Sequence, residues 1–97
     1  MKTASTRPRL ILCATTWSLV GYPAPQREWP LERKLAAIQA AGFDGVCAYV
    51  TPELKAGADR RGLALMSGFD CSDLAVARTR LEAQRALGVH FINIQLL

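Results

Sequence analysis

The 97 residues include one histidine, three cysteines with no C-x-x-C spacing, and no G-x-G-x-x-G. A disulfide scaffold or a closed zinc site needs more than Cys13, Cys47, Cys71 and His90 offer at these spacings, so three free thiols in a reducing cytoplasm are expected. No segment reaches the ~20 apolar residues of a membrane span, and no membrane partner is expected. Positive charge is not concentrated either. The net +4 comes from arginines spread along the chain, whereas nucleic-acid arms gather theirs into blocks. With 51% hydrophobic and 21% charged residues, disorder is excluded, and the length suits one domain over 1–97.

The amino end imitates a secretory leader, since Lys2, Arg7 and Arg9 precede LILCATTWSLVGYPA. Thr15, Thr16 and Ser18 interrupt that run, and it serves well as a first strand. The cytoplasmic reading is therefore kept.

Periodicity then gives short apolar runs alternating with amphipathic helices. Strands are expected over about 10–18, 43–50, 63–69 and 89–96, and helices over about 30–41, 52–61 and 72–87. In PLERKLAAIQAAG, Pro30 suits a first turn, Glu32 favours the positive helix end, and Leu31, Leu35 and Ile38 share a face. Thr51-Pro52-Glu53 announces the second helix, although Gly57 inside it is unfavourable, and Ser72-Asp73 announces the third. Leu74, Ala77, Leu81 and Ala86 trace the third helix's apolar stripe, with Arg78, Arg80 and Arg85 largely off it. Gly42, Gly62 and Gly88 stand at the helix ends.

The order β-α-β-α-β-α-β calls for a parallel sheet with right-handed crossovers and all helices on one face. The other face is then bare. A doubly wound sheet would cover it, but its nucleotide loop is absent; a (β/α)8 barrel covers it by closing and needs about 250 residues. The expected fold is α/β, the first half of a (β/α)8 TIM barrel, truncated. Strand parity agrees. Ile92, Ile94 and Leu96 turn to the helices and Phe91, Asn93 and Gln95 to the lumen, while Val46, Ala48 and Val50 oppose Cys47 and Tyr49.

GFDGVCAYV after PLERKLAAIQAA, then LMSGFD, then VHFINIQLL after RALG, resemble the opening half of the sugar phosphate isomerase/epimerase family, the xylose-isomerase-like TIM barrels. The resemblance runs from Leu10 onward. It implies an active site at the strand C-termini and a divalent metal (Mn, Mg, Co or Zn) in the complete barrel. That metal assists proton transfer between adjacent carbons of a sugar or keto-sugar. It also places the metal ligands and catalytic carboxylates on later strands, so no catalytic and no metal-binding residue is assigned here, and the fragment is expected to be inactive. Relatives often carry Glu where this chain has Cys47, which puts a polar role there in doubt.

The substrate, a sugar or sugar phosphate, is expected against Trp17, Tyr49, Asn93 and Gln95, which parity or strand-end position brings to the barrel mouth. Plain packing is the alternative for the two aromatics, and bonding to neighbouring side chains or water for the two amides. Asp70 reads as helix-cap chemistry more than as a mouth carboxylate, and His90, at the base of its strand, as structural. Cys13 and Cys47, on adjacent strands, read as small hydrophobes. Two other functions compete with the isomerase. One is a self-associating half-barrel without catalysis, joined through its exposed strand edges. The other is an abasic-site endonuclease-like protein, disfavoured because those enzymes place several His in early strands.

Overall fold

A computed structural model describes residues 10–97. Lys2, Arg7 and Arg9, the basic residues weighed as part of a leader, lie outside the described residues. Strands β1 (Cys13–Thr15), β2 (Gly45–Cys47), β3 (Ala64–Cys71) and β4 (Ile92–Leu96) form one sheet in the order β1-β2-β3-β4, and every pair is parallel. Helices α1 (Leu31–Ala40), α2 (Pro52–Arg61) and α3 (Leu74–Ala86) are the crossovers. Among the described residues no helix is long and apolar enough to cross a membrane.

The starts of α2 and α3 and the ends of all three helices have local reasons. Thr51 Oγ1 accepts from Leu54 N at 3.1 Å, and Asp73 Oδ1 accepts from Ala75 N at 2.7 Å and Val76 N at 3.2 Å. Both side chains satisfy amides that a helix start otherwise leaves unpaired. Gly42, Gly62 and Gly88 all have positive φ where the chain turns back toward a strand. Gly57, unfavourable by propensity, is explained by packing. A methyl there would lie 2.8 Å from Leu35 Cδ1 on α1, so the glycine is what lets the two helices approach.

The core lies on the helix side of the sheet. Leu35, Ile38, Val46, Val50, Leu54, Ala58, Leu63 and Val89 form one buried cluster, backed by the partly buried Ala14, Leu65 and Ile92 of the strands. The expected parity of β2 and β4 is therefore present within the strands themselves.

Several boundaries differ from expectation. The first strand ends at Thr15 rather than running to 18, because Thr16 is already right-handed helical (φ −81°, ψ −7°) and Trp17–Leu19 make a 3-10 turn. β3 continues two residues beyond 69, because β4 pairs with it as far as Cys71↔Leu96. The stripe on α3 is mostly not core. Leu74 is 72% exposed and Ala86 is exposed, while Ala77 and Leu81 are half-buried along a groove shared with Ile94 and Leu96 at the open β4 edge.

What α3 does bury is Gln84, fully, with Nε2 donating to Val50 O at 2.8 Å and Oε1 accepting from Val50 N at 2.9 Å. That amide replaces a strand's ladder bonds for a residue past the end of β2. Ser67 is also fully buried, and its Oγ has no partner among the described residues. An orphaned buried hydroxyl costs about 1 kcal/mol, so Ser67→Ala is expected to stabilise the fold by about that much. Urea denaturation checks it, and a loss of stability would mean the hydroxyl is satisfied after all.

Candidate functional site

Residues that alternate with the core positions point to the face without helices. Cys13 and Thr15 of β1, Cys47 of β2, Met66, Gly68 and Asp70 of β3, and Asn93 and Gln95 of β4 share that face by register: Thr15 aligns with Cys47, Cys47 with Met66, Gly68 with Asn93 and Asp70 with Gln95. Toward the strand C-termini this face holds a cleft lined by Thr15, Trp17, Cys47, Asp70, Asn93 and Gln95, among others. Ligands of parallel α/β sheets bind at that end, where helix N-termini and loops converge. The space measures about 100 Å³, whereas small-molecule pockets run to roughly 300–1,000 Å³, so the described residues supply one wall of a site rather than an enclosure.

Three of the four residues expected against a substrate, Trp17, Asn93 and Gln95, line this cleft. Tyr49 does not. Ala48 still donates to Met66 O and accepts from Gly68 N, both at 3.1 Å, but Tyr49 lies past these last bonds to β3, so alternation no longer sets its direction. Its ring meets Phe69 edge-on at 5.7 Å, and both rings lie beneath the Arg80 guanidinium, at 6.0 and 5.6 Å. Arg80, off the α3 stripe as expected, is half-buried, and its Nη1 donates to Asp70 O at 2.8 Å. The backbone of the third strand's end is thereby fixed from the helix side.

The sequence around Asp70 favours a cap over a mouth carboxylate. In the fold Asp73 caps α3, and Asp70 sits within β3 with its carboxylate at the cleft. Its Oδ1 is buried and has no hydrogen-bond partner among the described residues. A buried carboxylate oxygen is normally paired, so this one is the polar atom of the cleft that lacks its usual donor. The signal available in sequence was register: Asp70 falls two residues after Gly68 on the lumen side of a strand that runs longer than its apolar segment.

The cysteines of this face are shielded thiols. Burial pushes the Cys13 thiol above its usual value, with the Asp44 carboxylate adding to the effect, and burial followed by the proximity of Cys13 does the same to Cys47. Neither is set up as a thiolate nucleophile at neutral pH. Cys71 lies on the helix side, buried, with its Sγ donating to Asp73 O at 3.0 Å. His90 lies at the opposite end of the bare face, in a groove with Leu10, Ile11, Cys13, Met66 and Phe91.

Among the described residues no three His, Cys, Asp or Glu side chains come together as a metal cluster. The cleft offers one carboxylate beside a hydroxyl and two amides, which does not fit the several charged ligands a divalent isomerase metal takes. It fits hydroxyl groups better. Amides donate and accept, the carboxylate accepts, and the exposed Trp17 indole offers an apolar wall. No family model, curated protein or solved structure matches the chain.

Proposed function

We propose that this chain forms the opening half of a (β/α)8 barrel of the sugar isomerase/epimerase type. Its cleft would be that barrel's share of a site for a sugar or sugar phosphate. The observation that carries the reading is Asp70 Oδ1, buried and unpartnered among the described residues in a cleft with Trp17, Asn93 and Gln95. A polyol presents adjacent hydroxyls, each both donor and acceptor, above a ring whose C–H face is apolar. Asp70 accepts from one hydroxyl, Asn93 and Gln95 bridge others, and the Trp17 indole covers the ring. These residues orient and desolvate the substrate. Proton transfer belongs to carboxylates and a metal that the resemblance places on later strands, so the 97 residues are expected to bind without turnover.

The bare inner face and the grooves beside β1 and β4 support the same reading, because a closed barrel covers all three.

Trp29→Phe leaves Trp17 as the sole indole, and its fluorescence can be titrated with a pentose and a hexose, free and phosphorylated. Saturable quenching at millimolar sugar is expected. Asp70→Ala in the same background is expected to abolish quenching while stabilising the fold by about 1 kcal/mol, because an unpaired buried acceptor is removed. No response to any of the four sugars, or quenching unchanged by Asp70→Ala, overturns the assignment.

A second reading draws on the sheet edges. Leu10, Ile11 and Leu12 beside β1, and Phe91, Leu96 and Leu97 at β4, are all more than half exposed, so two copies would bury apolar surface by pairing edges into one larger sheet. Sedimentation over a dilution series separates the two: a monomer throughout removes the second reading and leaves the first standing.

A further inference from the structure

The cleft proposed for a sugar carries charge of one sign. Among its lining residues Asp70 is the one ionised group, because burial holds the Cys47 thiol protonated and no Lys, Arg or His borders the space. The protein does not balance that charge. Among the described residues no basic side chain pairs with the Asp70 carboxylate, and its buried Oδ1 has no donor. Arg80 touches Asp70 from the helix side, but its Nη1 donates to the backbone carbonyl at 2.8 Å and the guanidinium lies over the Tyr49 and Phe69 rings.

The backbone amides that could hold a phosphate are also taken. A helix N-terminus offers its free N–H groups to an anion, and α2 and α3 both begin at this end of the sheet. At α3 the Asp73 carboxylate already accepts from Ala75 N and Val76 N. At α2 the Thr51 hydroxyl accepts from Leu54 N, and Glu53 stands in the first turn. A phosphate ester brought here meets carboxylates where it needs donors.

A neutral sugar meets no such repulsion, yet it leaves Asp70 uncompensated. Closing over the cleft removes water from the carboxylate, and hydroxyls supply hydrogen bonds without counter-charge. A protonated amine supplies both. Trp17, 59% exposed in the same cleft, adds a ring face that attracts an ammonium group.

We infer that the ligand of this cleft is an amino sugar, whose ammonium group pairs with Asp70 while its hydroxyls bridge Asn93 and Gln95, and that phosphate esters are turned away. The inference rests on the sugar reading of the same cleft and narrows it to one class.

The test titrates the unaltered full chain with glucosamine, glucose, N-acetylglucosamine and a glucose phosphate, following the indole N–H resonances by NMR. The Trp17 signal should move, whereas that of Trp29, which contacts Tyr22 and Arg33 instead, should not. Hydrogen bonds to charged groups exceed neutral ones by enough to change affinity about tenfold, so glucosamine should bind about tenfold tighter than glucose or the uncharged N-acetyl sugar. The phosphate should bind more weakly than glucose or not at all. Because the chain as a whole carries +4, nonspecific attraction favours the phosphate, and the expected order has a local cause. Asp70→Asn, which removes the charge and keeps the shape, should bring glucosamine to within about threefold of glucose. Glucosamine and N-acetylglucosamine binding equally, a phosphate binding as well as glucose, or an Asp70→Asn variant that keeps the full preference each overturns the inference and leaves the sugar reading in place. A Trp17 signal unmoved by all four overturns both. The order of affinities is read on the unaltered chain, so it decides the matter even where the variant fails to fold.

Discussion

Gln84→Met is expected to destabilise the fold by about 3 kcal/mol, lowering Tm by roughly 15 °C, although it keeps side-chain length and apolar volume. Val50 explains the size of the effect. It is 1% exposed, and both its N–H and its C=O are satisfied by the one Gln84 amide. A thioether supplies neither partner, so two buried backbone groups are left without water or protein, each costing about 1–3 kcal/mol. Gln84→Glu should not rescue, because it keeps the acceptor for Val50 N but sets an oxygen against Val50 O and buries a charge. Thermal unfolding of the three proteins checks this. A Gln84→Met variant within about 0.5 kcal/mol of the parent, the range of ordinary surface changes, would mean that Val50 finds other partners.

Gly45→Ala is the second large effect, again about 3 kcal/mol and destabilising. Gly45 has no positive φ, so conformational freedom is not the reason. A methyl on it would lie 2.5 Å from Ala64 O and 2.9 Å from Ala64 C and Cβ. Backbone, not a flexible side chain, is in the way, and that backbone is pinned. Ala64 N donates to Asp44 O at 2.9 Å, Asp44 N donates to Leu12 O at 2.8 Å, and Asp44 Oδ2 accepts from Leu12 N at 3.0 Å. The strand starts of β1, β2 and β3 are thus held as one piece, and relief of the clash would separate β2 from β3. Urea unfolding with an unchanged m-value is the expected record of the stability loss; a parent-like midpoint would contradict the close approach.

The two positions have a common character: each matters through a neighbour distant in sequence. Gln84 serves a residue 34 positions away, and nothing in DLAVARTRLEAQRALG distinguishes it from a solvent glutamine. The apolar periodicity of that segment pointed to Leu74 and Ala86, which are exposed, because periodicity reports which face is apolar and not whether anything covers it. The site shows the same division. Asn93 and Gln95 could be placed from alternation because β4 is regular over its length. Tyr49 could not, since the bonds to β3 end at Ala48 and Val50 beyond it is held by Gln84. Asp70 resembles a cap in sequence because Asp-Cys-Ser-Asp offers two candidates for one role, and only the pairing of β3 with β4 puts the first of them in a strand.

The sequence by itself determined the order of elements, the parallel sheet that three helical crossovers imply, the helix ends at Gly42, Gly62 and Gly88, and the faces of β2 and β4. These follow from local periodicity and from backbone preferences that each short segment carries within itself. Tertiary structure alone decided how far each strand extends, which carboxylate stands in the cleft, where Tyr49 and Arg80 turn, why Gly45 must be glycine, that Gly57 packs against Leu35, and that a buried glutamine closes the second strand. Those outcomes depend on what lies across a strand or helix boundary, and contact between distant segments leaves no period in a single chain.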